Sequence, residues 1–324
     1  MQRDNSMASD EARPRIVFMG SPDFAVASAE QLHRSEIEFA AVVTTPDKPA
    51  GRGLKVRESP VKLWAREKGV PVLQPEDLRD PEFLNQLQRL QAEYFVVVAF
   101  RILPREVFTL PPGGTINLHA SLLPKYRGAA PINWAIIQGE TETGVTTILI
   151  DEKVDSGDIL MQWHVPIGED ETFGELYERL KKIGAELLAE TVQKYHRGEI
   201  KPRKQIGTAT KAPKITPELC RIDWQQPAHQ IRNLVRGLCP QPAAFTFWQG
   251  RRLKIFKCAV AEADTNEAHT PGEIVQAEAK NGILKIRCGT GSVLLQEIQL
   301  EGKRRMSTEE FLRGYPVQAG DILG

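Results

Sequence analysis

No stretch of about 18 apolar residues occurs in the 324-residue chain, so no membrane-spanning helix is predicted. The longest apolar run, Tyr94 to Phe100, is only as long as a strand. The first dozen residues lack the apolar core of a secretory signal, which predicts a disordered tail over residues 1–13 and a cytoplasmic protein. Cysteine is scarce: Cys220, Cys239, Cys258 and Cys288 form no C-x-x-C pair, so reduced, buried thiols are favoured over a zinc site. No H-E-x-x-H motif is present, and Ser121 is followed by "LLP" rather than sitting in a G-x-S-x-G elbow. Metal-assisted hydrolysis and a serine nucleophile are therefore disfavoured. "GSPDF" after the first apolar run is not G-x-G-x-x-G, which weakens a nicotinamide-dependent oxidoreductase. Net charge is also missing, 42 basic residues against 42 acidic, and that alone argues against a nucleic-acid partner.

The distribution of charge says otherwise. Up to residue 200 there are 23 Lys and Arg against 30 Asp and Glu, and beyond it 19 against 12. An acidic front and a basic back suggest a polyanion held mainly by the second part, unless the charges are merely solvated faces. The length predicts two domains, and 41% hydrophobic with 26% charged residues is ordinary for a globular protein.

Along residues 14–201, short apolar strands alternate with helical patterns: "RIVFMG", "FAAVVTT", "YFVVVAF" and "GGTINLH" against "SPDFAVASAEQLHRSE", "SPVKLWAREKG" and "AAPINWAIIQG". "TGVTTILI" and "GDILMQWHVPI" read as edge strands, and a long amphipathic helix follows. This rhythm predicts an α/β domain with a doubly wound, mostly parallel, Rossmann-like sheet. A Pro-, Lys- and Thr-rich stretch over 202–216 reads as a basic linker. In 217–324 one helix precedes five short β segments separated by glycines and polar turns, which predicts a small OB-like β-barrel.

Asn117 and His119 lie two apart in "TINLH" and so share one face of a strand end. Ligands of open α/β sheets bind beyond such carboxyl ends. Asp155, in the polar loop "DEKVDSGDIL" 36 residues after His119, is placed to face it. An amide, an imidazole and a carboxylate without a nucleophile suit direct acyl transfer to an amine. Asn117 and a protonated His119 donate to a developing oxyanion, and Asp155 accepts a proton. The bland alternatives are a satisfied strand-end histidine, a turn-capping asparagine and an aspartate that stabilises its own Ser-Gly turn.

"NLHASLLPKYRGAAP" with a downstream "DSGDIL" resembles the 10-formyltetrahydrofolate-dependent formyltransferases. "PDKPAGRGLKVRESPVK", "RGAAPINWAI" and "CRIDW" narrow the resemblance to those members that formylate the methionine of initiator methionyl-tRNA. The resemblance implies that Asn117, His119 and Asp155 are catalytic and that Ser121, Leu122, Leu123 and Pro124 line the folate site. Arg101, Ile102 and Leu103 resemble instead an Arg-Ile-Leu that borders the folate in glycinamide ribonucleotide formyltransferases, which implies that they lie at the folate, with Arg101 near a glutamate carboxylate of 10-formyltetrahydrofolate. The basic insertion carrying Lys48, Arg52, Lys55 and Arg57 is implied to contact the tRNA acceptor arm. Lys204 and Lys211 of the linker, with Arg251 and Lys254 of the barrel, extend that backbone track. A monomer without a metal is expected, using formyl-tetrahydrofolate as co-substrate. Two departures stand out: "AFRILP" where "AYG" often precedes "ILP", and "CPQP" where a tryptophan commonly separates the prolines.

The nearest rivals are a sugar-amine formyltransferase and a formyltetrahydrofolate hydrolase, which lack the "AGRG" insertion and "CRIDW". A non-catalytic nucleic-acid-binding protein is disfavoured by intact Asn117, His119 and Asp155.

Overall fold

Strand Tyr94–Val98 is buried at every position, as expected of a strand covered on both faces. It is the central strand of a seven-stranded sheet in this computed structural model, which describes residues 13–50, 55–261 and 270–324. Across the sheet the order is Ile159–Pro166, Glu142–Leu149, Thr115–His119, Tyr94–Val98, Arg15–Gly20, Glu38–Val43 and Val72–Leu73. The last five of these pair in parallel, and Glu142–Leu149 runs antiparallel to Thr115–His119. The chain builds outward from Arg15–Gly20 in one direction and then returns to build in the other. That reversal is the topological switch point of a doubly wound sheet, and ligands bind at the carboxyl ends there.

Local sequence explains the flanking helices. Ser59 caps Pro60–Glu67 by accepting from the Lys62 N–H at 3.1 Å, with proline at the first position. Asp80 does the same for Pro81–Arg89, accepting from the Glu82 N–H at 2.9 Å. That helix and the short Arg105–Phe108 were not anticipated. Gly20 is required at the end of the first strand: a Cβ there would stand 2.6 Å from the Ala25 Cβ of helix Asp23–Arg34.

The chain divides into two compact units. One takes in residues up to His119, Val145–Trp163 and Lys181–Gly207; the other takes in Ala120–Gly144, His164–Leu180 and Thr208–Gly324. In the second unit the strands lie in the order Ala244–Trp248, Arg251–Val260, Ser292–Leu300, Ile283–Arg287 and Ile274–Glu278, with Met306–Ser307 also paired to Ser292–Leu300. All these pairings are antiparallel. The two outer strands are stitched by the segment 320–324. The Gly320 N–H donates to the Ile274 carbonyl, and the Gly324 N–H donates to the Phe247 carbonyl at 3.0 Å.

"CRIDW" belongs to this β domain's interior. Cys220, Ile222 and Trp224 are buried at alternate positions, and the Trp224 Nε1–H donates to Thr246 Oγ1 at 3.1 Å. All four cysteines are free and buried, and all lie in the second unit. In the predicted linker, Arg203 and Ile159 exchange both backbone hydrogen bonds, while Lys211–Ala212 pairs in parallel with Arg127–Gly128. No helix among the described residues is long and apolar enough to cross a membrane.

Candidate active site

Strand Thr115–His119 ends at the carboxyl edge of the parallel sheet. Pleating puts the side chains of Asn117 and His119 on one face. His119 is buried and Asn117 half-buried. Next to this strand, the antiparallel Glu142–Leu149 places Thr146 opposite His119. Thr146 is fully buried, and its Oγ1 accepts from Gln162 Nε2 at 2.8 Å.

Asp155 arrives from the turn that links Glu142–Leu149 to Ile159–Pro166. Its Oδ2 is 3.6 Å from His119 Nδ1, with both side chains largely shielded from water. Asp151 Oδ1 accepts from the Lys153 N–H and from Ser156 Oγ, closing the turn. The turn presses on the strand end, for the Leu149 N–H donates to the Asp158 carbonyl at 2.9 Å. A Cβ on Gly157 would stand 1.6 Å from the Leu149 carbonyl oxygen, so only glycine fits there. Asp155 itself holds φ at 53°, the left-handed region that aspartate enters more readily than most residues. The anticipated amide, imidazole and carboxylate thus occupy one strand end and the turn above it. Thr146, Gln162 and Gln205, whose Nε2 donates to the Asp155 carbonyl at 2.9 Å, were not anticipated.

The other candidates fall in different settings. Arg101 spends two nitrogens on the backbone, donating to the carbonyls of Pro75 at 2.8 Å and Glu76 at 3.0 Å. Its Nε is buried with no partner among the described residues. Arg101, the exposed Ile102 and the buried Leu103 line a cavity of about 400 Å³ together with Arg79, Arg105 and Glu152. In the second unit, Ser121 is fully buried and its hydroxyl donates to the Lys125 carbonyl at 2.7 Å. Leu123 is buried and joined to Pro124 by a cis peptide, while Leu122 and Pro124 are half-buried.

Within the basic insertion, Lys48–Ala50 pairs antiparallel with Lys55–Arg57. Its base is pinned by a 2.8 Å hydrogen bond between the Thr44 and Ser59 hydroxyls and by the Lys62–Asp47 ion pair. Arg57 is exposed, and Arg52 lies outside the described residues. Lys204 is exposed and pairs with Asp158 at 2.9 Å. Lys211 and Arg251 are exposed, and Arg251 donates to the Glu301 carbonyl at 2.8 Å. Lys254 is half-buried and donates to the Pro242 carbonyl at 3.4 Å. Among the described residues no group of three or more His, Cys, Asp or Glu side chains is arranged to hold a metal ion.

Residues 14–192 match the family model "Formyl transferase" and residues 214–316 match "Formyl transferase, C-terminal domain". The chain belongs to the formyl transferase family. Among relatives, it is 50% identical over 95% of its length to "Methionyl-tRNA formyltransferase" of Caldanaerobacter subterraneus subsp. tengcongensis, covering 99% of that protein. It is 46% identical over 96% of its length to the protein of the same name from Geobacter sulfurreducens, covering 96% of it. The fold also resembles HypX from Aquifex aeolicus, crystallised with tetrahydrofolic acid, at a TM-score of 0.60 and 20% identity. That likeness covers 96% of this chain, which spans about half of HypX, 50% of its length. Within the formyl transferase architecture the mostly parallel domain carries the Asn117, His119 and Asp155 cluster, and an antiparallel β domain follows it.

Proposed function

We propose that the chain transfers the formyl group of 10-formyltetrahydrofolate to the α-amino group of methionine on initiator methionyl-tRNA, the step that prepares that tRNA for translation initiation. One observation supports this most: in a chain half identical to a methionyl-tRNA formyltransferase, His119 and Asp155 stand 3.6 Å apart at the strand end from which Asn117 projects.

The amine attacks in its neutral form, since a protonated nitrogen has no lone pair. Its nitrogen bonds to the formyl carbon while the carbonyl oxygen becomes an oxyanion. Asn117 and His119 donate hydrogen bonds to that oxyanion. Asp155 takes the proton that the amine sheds on bonding. Collapse of the intermediate breaks the bond to the folate nitrogen, which leaves as an amine after gaining a proton. The folate is a co-substrate, and no metal enters these steps. Ser121, Leu122, Leu123, Pro124, Arg101, Ile102 and Leu103 contribute to its site. Arg101 does so while holding the 75–76 backbone, and its guanidinium is the proposed partner of the glutamate carboxylate.

Lys48, Arg52, Lys55 and Arg57 of the basic insertion meet the acceptor arm, and Lys204, Lys211, Arg251 and Lys254 follow the phosphate backbone. The tRNA-binding domain runs over 217–324 behind the 202–216 linker. The protein works in the cytoplasm as a monomer.

The purified protein is expected to formylate charged initiator tRNA and to ignore elongator methionine tRNA in a radioactive-formyl assay. His119→Ala and Asp155→Asn should each lower kcat by about 100-fold or more with unchanged circular dichroism. Near wild-type turnover in either variant would remove that residue from the mechanism.

A further inference from the structure

Three consecutive residues beyond the long helix Phe173–His196 grip the turn that carries Asp155. The Arg203 N–H donates to the Ile159 carbonyl at 2.9 Å, and the Ile159 N–H donates back at 2.7 Å. Lys204 Nζ lies 2.9 Å from Asp158 Oδ1. Gln205 Nε2 donates to the carbonyls of both Asp155 and Gly157, each at 2.9 Å.

These three holds are not equivalent. The Arg203 bonds are backbone bonds that most residues would make. The Lys204 side chain is 87% exposed, so water and salt screen its ion pair. Gln205 reaches the carbonyls of the two residues on either side of Ser156 and gives one amide hydrogen to each. Holding those two carbonyls fixes the peptide plane that follows Asp155 and anchors the one that follows Gly157, which restrains the backbone from which the Asp155 side chain leaves. Asp155 needs such a hold because its left-handed backbone persists only where its surroundings impose it.

We infer that Gln205 is a positioning residue of the active site, whose paired donation keeps the Asp155 carboxylate against His119. The inference rests on the proposed role of Asp155 in formyl transfer. Glutamate at 205 would keep the shape but carry no donor when ionised, turning an acceptor toward two carbonyls.

The test is steady-state kinetics of Gln205→Ala and Gln205→Glu, alone and in an Asp155→Asn background. Each single variant is expected to lose about 10- to 100-fold in kcat, the scale of a misplaced reacting group. KM for the charged tRNA and for formyl-tetrahydrofolate should stay within about twofold, because neither substrate's binding is removed. In the Asp155→Asn background, Gln205→Ala should cost nothing further, because the carboxylate it positions is gone. Unchanged kcat in both single variants would overturn the inference, and so would an undiminished loss in the double variant. A wild-type protein inactive on charged initiator tRNA would bring down the proposed function and this inference together, whereas an active wild type with indifferent Gln205 variants sinks the inference alone.

Discussion

A methyl group on Gly157 would stand 1.6 Å from the Leu149 carbonyl oxygen, closer than any non-bonded contact allows. Gly157→Ala must therefore lift the turn off the strand end and carry Asp155 away from His119. A loss of about 100-fold in kcat is expected from a displacement of an ångström, with a melting temperature that falls far less than activity does. In the proposed mechanism Asn117→Ala removes one oxyanion donor, worth ~2.7–4 kcal/mol of barrier, so kcat should drop by roughly two to three orders of magnitude. Single-turnover formylation measures both variants. Asn117 and His119 were legible because a period of two in "TINLH" fixes their common face without any tertiary knowledge. Asp155 was legible as a carboxylate in a glycine-bearing turn between two strands. Gln205 was not, since an amide in a polar stretch, 50 residues from the carbonyl it serves, carries no local pattern that singles it out.

Helices Asp23–Arg34 and Pro60–Glu67 meet through a charged hinge-pin at Glu30. Its Oε2 accepts from the Trp64 indole N–H at 2.8 Å and lies 3.2 Å from Lys68 Nζ, while Oε1 accepts from Arg34 at 3.0 Å. The Trp64 bond, opposed by burial and aided by Lys68 and Arg34, holds the Glu30 carboxyl down at about 2. A folded value below the unfolded one stabilises the protein fully above the ordinary carboxylate range. That contribution fades as pH falls from about 4.5 toward 2. Glu30→Gln should cost about 1–2 kcal/mol at neutral pH and flatten the acid limb of the stability curve, as urea titrations across pH would record. The caps at Ser59 and Pro60 made the second of these helices readable in advance. Equivalent caps open two further helices. Asp80 and Pro81 open a short helix, and Ser307 and Glu310 form a reciprocal capping box at the start of Thr308–Gly314.

The alternation of strands and helices made the parallel sheet legible, and five short strands behind a lysine-rich stretch made the antiparallel domain legible. The order of strands around the switch point was not, because pairing register depends on contacts between distant segments rather than on any one of them. The assignment of residues 120–144 and 164–180 to the second unit was equally hidden: they are continuous in sequence with the first unit and separate from it only in space. The same division gives all four thiols to one unit. Burial pushes Cys258 and Cys288 up to about 12 and raises Cys220 and Cys239 as well, so few thiolates exist at neutral pH. Cys239 and Cys258 line an open cavity of about 750 Å³, whereas Cys288 is sealed completely. An aromatic disulfide reagent should therefore consume Cys239 first and leave Cys258 and Cys288 until the β domain opens. The protein thus carries its own chemical clock: colour released over time would date the opening of the C-terminal half and stay blind to fluctuations in the half that holds His119.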